Sequence, residues 1–138
     1  MNAISETFNP EIHICKFGFE YCGVRKDSYK IYGNLYLMEL SFVFPKESFG
    51  FHISLEQLET LLPLIRWDDF EKIRDYRETY QNGYREYLLH FWCLSESGNS
   101  LIQKYMGEFS DLPHEKLLDW IRINFGHEKK LRKKMIYW

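Results

Sequence analysis

Little in this sequence leads one to expect a segment that directs a protein to or through a membrane. Its first ten residues, MNAISETFNP, have no basic start and no apolar stretch, and they include Glu6 and Pro10, so no secretory leader is expected. The longest apolar runs, such as Leu61 to Ile65, fall far short of the ~20 residues that span a bilayer. Cysteine is scarce: Cys15, Cys22 and Cys93, an odd number with no Cys-x-x-Cys. Without a secretory context they read as reduced thiols in a cytoplasm. Repeats and low-complexity segments are also missing, and no linker interrupts the chain. One domain over residues 1–138 is the expectation, and a chain of this length needs no disulfide or metal staple to fold.

Catalytic signatures are equally sparse. His114-Glu115 and His127-Glu128 begin like a zinc-protease helix, but positions 118 and 131 are leucines. A metal needs two imidazoles one turn apart. Gly18 to Gly23 has phosphate-loop spacing, yet Val24-Arg25 stands where a lysine and a hydroxyl residue are required. The stretch KFGFEY (16–21) resembles the aromatic strand of an RNA-recognition motif. It lacks the glycine after the lysine and has Glu20 where a valine is expected; its rings read as core-facing. His13 and Cys15 share a strand face, but no second ligand pair follows at ribbon spacing. Gly-x-Ser-x-Gly is absent. No catalytic residue, metal ligand or cofactor is therefore assigned.

What the sequence has in quantity is aromatic side chains: 11 Phe, 10 Tyr and 4 Trp. They suit a large core and half-buried positions at interfaces. Period-two alternation predicts a strand over 11–24, with His13, Cys15, Phe17, Phe19 and Tyr21 on one face and Lys16, Gly18 and Glu20 on the other. A long strand over 29–44, broken near Gly33-Asn34, places Tyr36, Met38, Leu40, Phe42 and Phe44 together, opposite Glu39 and Ser41. A short strand follows over 49–53. Ser54 with Gln57 forms a capping box for a helix striped by Leu55, Leu58, Leu61 and Leu62, ended or kinked at Pro63. Asp68 with Glu71 reads as a second box, opening a helix over 69–80 with Phe70, Ile73 and Tyr80 inward and an Asn82-Gly83 cap. Residues 84–94 form a strand apolar on both faces in its second half, hence central. Residues 101–109 fit a strand or a helical turn. Asp111 caps a last helix over 112–125, with Leu117, Leu118, Ile121 and Phe125 on one side and Gly126 closing it. The order argues α+β: a largely antiparallel sheet with helices packed on one side.

Charge divides unevenly. The last thirteen residues, GHEKKLRKKMIYW, hold five basic and one acidic side chain, a net +4; the other 125 hold 13 basic and 19 acidic, a net −6. Within residues 127–138, Leu131, Met135 and Trp138 recur at helical spacing between the lysines, which predicts an amphipathic tail docked on the domain. The acids group between Glu47 and Asp69 and between Glu86 and Asp119. Such a surface steers a basic partner. Glu56, Glu59, Asp68, Asp69, Glu96, Glu108 and Asp111 are the expected partner-binding carboxylates.

In size, acidic aromatic-rich composition and want of catalytic motifs, the whole chain resembles the small immunity proteins that bacteria encode beside polymorphic or contact-dependent growth-inhibition toxins. The resemblance implies a cytoplasmic, non-catalytic inhibitor that binds a cognate toxin domain, often a nuclease, with no membrane or nucleic-acid partner. Two alternatives remain. One is a small enzyme whose site assembles in space from His13, His52 or His90 with carboxylates. The other is a nucleic-acid accessory protein using the basic tail.

Overall fold

A computed structural model describes residues 7–23, 29–72, 87–105 and 113–132. Six strands form one antiparallel sheet: β1 (Lys16–Gly23), β2 (Tyr29–Asn34), β3 (Glu39–Val43), β4 (Ser48–His52), β5 (Tyr87–Leu94) and β6 (Ser100–Tyr105). Their order is β4-β3-β2-β1-β5-β6. The helices are α1 (Leu55–Leu61), α2 (Trp67–Glu71), α3 (Pro113–Phe125) and α4 (Lys129–Arg132), with a 3-10 turn at Leu62–Leu64 after α1. This is the α+β architecture expected, with β5 an interior strand paired to β1 and β6. Residues 100–105 are strand.

Alternation builds the core. The register aligns Cys93, Phe17, Gly33, Leu40 and Phe51 in one row, and Phe91, Phe19, Ile31, Phe42 and Phe49 in the next. Both rows join one buried cluster with Leu61, Leu62, Ile65, Phe70, Leu117, Ile121, Phe125 and Leu131 from the helices. The two inward phenylalanines of KFGFEY, Phe17 and Phe19, are fully buried, so the RNA-stacking strand is excluded as a surface. Two glycines make room for rings lying flat across neighbouring strands. A Cβ at Gly33 would overlap the Phe17 ring on the inner face, and one at Gly18 would overlap the Trp92 indole on the outer face.

Several expectations are corrected. The stretch 29–44 is a hairpin: Leu35 to Met38 form the turn, with Met38 at φ 52. Tyr36 is accordingly exposed on the turn instead of sharing the face of Leu40 and Phe42, and Leu35 is buried in its place. β1 begins at Lys16; His13 is buried and forms an isolated bridge with Arg66. Leu55, first residue of α1, is exposed, because the capping box fixes it on the outer side of the first turn. The Ser54–Gln57 box itself is present, with Gln57 N donating to Ser54 Oγ at 3.1 Å and Ser54 N to Gln57 Oε1 at 2.9 Å. α2 starts two residues earlier than expected. Its N-cap is Arg66, with no side-chain cap, so Asp68 is a first-turn acid and no capping box forms with Glu71. Ile73, Tyr80, the Asn82-Gly83 cap, Asp111, Met135, Trp138 and the side chain of Cys22 lie outside the described residues. No helix among the described residues is long and apolar enough to cross a membrane.

Of the tail, α4 is described. Leu131 is fully buried in the core while Lys129, Lys130 and Arg132 are exposed, and Lys130 Nζ lies 5.6 Å from the centre of the Phe49 ring. Leu131→Ala is expected to destabilise the protein by about 2–5 kcal/mol. Lys129→Gln is expected to change stability by less than about 0.5 kcal/mol. Urea unfolding of both variants checks the pair; equal midpoints would mean that α4 is not held by its apolar residue.

Candidate functional site

Four of the seven carboxylates expected to bind a partner, Glu56, Glu59, Asp68 and Asp69, sit on a short stretch that the core holds firmly. In α1, Leu61 is buried and Trp120 of α3 donates its indole N–H to Thr60 Oγ1 at 2.8 Å. Glu56 and Glu59 are exposed on this helix. The chain then passes through Leu62 and Ile65, both fully buried. Backbone bonds from Ile14 N to Ile65 O and from Trp67 N to Ile12 O, each 2.8 Å, tie the start of α2 to the segment before β1. Phe70 anchors α2 by stacking on Phe91 of β5, centroids 5.5 Å apart. Asp68 is exposed; Asp69 is half-buried, with Lys72 Nζ 3.9 Å from its carboxylate. Both acids lie in the first turn of α2, where backbone N–H groups favour negative charge.

The structure brings α2 beside the β5–β6 hairpin, which the sequence did not reveal. A cleft of about 140 Å³ opens between them, lined by Trp67, Glu71, Asn99, Ser100 and Leu101. Glu96 stands exposed in the same hairpin loop. One acid, Glu71, thus lines the opening together with Trp67. Sequence reasoning missed Trp67 and assigned Glu71 to a cap; the available signal was the buried spacing of Ile65 and Phe70, which leaves both at the rim. Glu108 and Asp111 lie outside the described residues.

Glu96 also touches a thiol. Cys15 Sγ lies 3.8 Å from Glu96 Oε2 and accepts a bond from the Tyr36 hydroxyl at 3.2 Å. Burial, reinforced by the negative charge of Glu96, pushes the Cys15 thiol up from its ordinary value. The thiol is kept protonated, the opposite of what a nucleophile requires. Burial raises Cys93 in the same direction.

The histidines separate. His13 is buried, with Nδ1 accepting the Asn9 backbone N–H at 2.9 Å and the ring stacked on Phe8; it organises the segment before β1. His52 is exposed on the edge strand β4. His90 meets a carboxylate: its Nδ1 is 3.6 Å from Glu20 Oε2 on β1. That pairing depends on the β1–β5 register. Among the described residues, no group of three or more His, Cys, Asp or Glu is placed to hold a metal ion.

No protein-family model matches the chain, and no curated protein or solved structure does either.

His114, on α3, carries the clearest electrostatic consequence. It is buried and stacked on Phe91, rings 20° from parallel with centroids 5.5 Å apart. Burial lowers its pKa to about 4. The imidazole is neutral in the folded protein at pH 7, whereas an unfolded chain protonates it near the usual ~6.5. Its stabilising contribution is therefore complete above pH ~6.5. It is lost as the pH falls toward ~4, amounting to about 3 kcal/mol. Thermal melts between pH ~7.5 and ~3.5 should show this slope in the wild type and a shallower one in His114→Phe. Parallel pH profiles would mean that His114 does not titrate differently on folding.

Proposed function

We propose that the chain is a cytoplasmic immunity protein that binds a cognate toxin domain stoichiometrically and neutralises it without turnover. The partner is a basic domain, of the kind that cleaves nucleic acid, delivered by a contact-dependent or related polymorphic system. The supporting observation is the cleft between α2 and the β5–β6 hairpin. Trp67 and Glu71 wall it on the α2 side and Asn99, Ser100 and Leu101 on the hairpin side; Asp68 and Asp69 belong to the same short helix as Glu71, and Glu96 to the loop that joins β5 to β6.

An aromatic ring beside carboxylates is suited to the side chains that a cationic domain projects. A lysine or arginine gains a charge-assisted bond from Glu71 and a cation–π contact from the indole of Trp67. Tryptophan at the centre of a contact is the commonest kind of binding anchor, and acids around it raise the encounter rate. The helices that carry them are held by Phe70, Leu61 and Ile65, so little ordering is needed on binding. The protonated, buried thiol of Cys15 favours a binding role over covalent chemistry at this end of the sheet.

The experiment begins with the genes on either side: where a large secreted protein with a variable C-terminal domain is found there, surface plasmon resonance is run against that domain, with rescue of growth when both are expressed. Nanomolar binding is expected, with an on-rate that falls as salt rises. Reversing Asp68 and Asp69, or Glu56 and Glu59, to lysine should slow association at least about threefold at low salt and leave dissociation nearly unchanged. Trp67→Ala should act on dissociation instead, accelerating it about tenfold or more. On-rates indifferent to both reversals would reject acidic steering, and rescue that survives Trp67→Ala with unchanged kinetics would remove the cleft from the contact.

A further inference from the structure

Exposed apolar side chains gather at one end of the sheet. The register sets the start of β1, the end of β2, the start of β3 and the end of β4 side by side there, in the row Lys16, Asn34, Glu39 and His52, with Leu94 of β5 beside Lys16. Among the described residues, the large apolar side chains that stand exposed are Ile12, Tyr36, Leu37 at 65%, Leu55 at 76% and Ile123 at 78%. All but Ile123 belong to segments that meet at this end. The Ile12 carbonyl accepts the backbone N–H of Trp67, and the Met38 carbonyl accepts that of Ile53, two residues before Leu55, each at 2.8 Å. The Tyr36 hydroxyl donates to Cys15 Sγ at 3.2 Å, and the ring of the half-buried Phe8 stands edge-on to Tyr36, centroids 5.8 Å apart. Together they mark a strip from Trp67 at the cleft, across the strand ends, to the start of α1.

A single exposed leucine is ordinary, whereas several gathered in one place mark a contact. The backbone holds these side chains outward. Asn34 Oδ1 accepts the N–H groups of Tyr36 and Leu37, at 3.0 and 3.3 Å, which braces the turn. The Ser54–Gln57 box does the same for Leu55. Little ordering is therefore needed when the strip is covered. Its surroundings are acidic: Glu11, Glu56, Asp68 and Glu96 are exposed and Glu39 is half-buried, against the cations Lys16 and Arg66. That excess repels the phosphates of a nucleic acid or of an anionic lipid surface. It suits a polypeptide that carries lysine or arginine beside apolar side chains. From β1 to β4 the strip spans about 15 Å, the length of about ten helical or about five extended residues.

We propose that this end of the sheet seats a protein segment whose apolar side chains are flanked by lysine or arginine. Leu37 and Leu55 form the centre of the contact, and the cleft at Trp67 is its border. On the immunity reading, on which the partner's identity rests, the segment belongs to the basic toxin domain. The surface itself stands without that reading. A contact of this build has a dry apolar middle and a charged rim. The acids raise the encounter rate, and the apolar middle sets how long the pair stays together. Neither the α1–α2 carboxylates nor the cleft supplies that middle alone. Ile123 is as exposed as Leu55 but stands on α3, away from the side of that helix buried in the core, so it takes no part.

Selection of phage-displayed random peptides, about twelve residues long to cover the strip, against the full chain is the test, since it presupposes no partner. Enriched peptides should combine apolar residues with lysine or arginine and bind with micromolar dissociation constants. Leu37→Asp and Leu55→Asp change exposed side chains, so both should keep the wild-type melt, and each should weaken an enriched peptide about tenfold. Ile123→Asp should leave the affinity within about twofold. Glu56→Lys combined with Glu96→Lys should weaken binding and flatten its salt dependence. Failure to enrich any peptide, peptides without cationic residues, or binding indifferent to Leu37→Asp overturns the proposal. An equal loss from Ile123→Asp does so too, as does sedimentation showing that the chain pairs with itself through Leu37, which makes a second copy the occupant. The toxin domain separates the two readings. Tight binding of that domain indifferent to Leu37→Asp removes the strip and leaves the immunity reading, whereas peptides that seat on the strip of a chain that binds no toxin domain do the reverse.

Discussion

The ring of Phe91 is the contact through which the layers meet. It lies 4.9 Å from Phe19 on β1, 5.5 Å from Phe70 on α2 and 5.5 Å from His114 on α3, centre to centre. One buried side chain on β5 therefore touches the middle of the sheet and two helices, α2 at the cleft and α3. Aromatic pairs of this kind contribute about 0.5–1.5 kcal/mol each beyond the area they bury, and three converge here. The placement of α2 follows from it, since a helix of five residues has little stability of its own. The low basicity of His114 follows as well, because its imidazole is desolvated by stacking on a phenylalanine.

Much of this could be read directly in the chain, and the parts that could not share a physical cause. Alternation marked Phe17 and Phe19 as inward, the Ser54–Gln57 box marked the start of α1, and the spacing of Leu117, Ile121 and Phe125 marked the buried side of α3. Those signals are local, each contained within one or two turns or a few strand residues. The break at Leu35 to Met38 was missed because Met38 takes a left-handed backbone at a residue that does not advertise it, so alternation seemed to continue through Tyr36. The cap at Asp68 failed for a different reason. Arg66 is held by the bridge to His13, 53 positions away, and that long-range pairing outweighs a local cap preference.

The same distinction holds for the site. Glu56, Glu59, Asp68, Asp69 and Glu96 were legible as acids, but acidity alone does not say which of them share an opening. Trp67 and Glu71 become notable only once Asn99 and Leu101 face them. The Glu20–His90 pair and the seat of Trp92 on Gly18 arise from the β1–β5 register, and no spacing within either strand encodes it. Glycine gave the one partial hint. Gly18 interrupts an otherwise bulky strand, which marks a place where another group approaches the backbone closely.

The pairing of β1 with β5 has a kinetic side. β2, β3 and β4 follow one another through short connections, so their ladders can close early and close to home. β1 must also accept β5, and Phe19 and Phe91, which face each other across that ladder, are 72 positions apart. Closing so long a loop costs entropy before any contact is returned, and chains rich in such pairings fold slowly. The middle of the finished sheet is thus the seam that should zip last. Until it does, β1 has an open edge bearing Phe17 and Phe19, and during synthesis that edge waits until the ribosome has delivered the tryptophan and phenylalanine of β5.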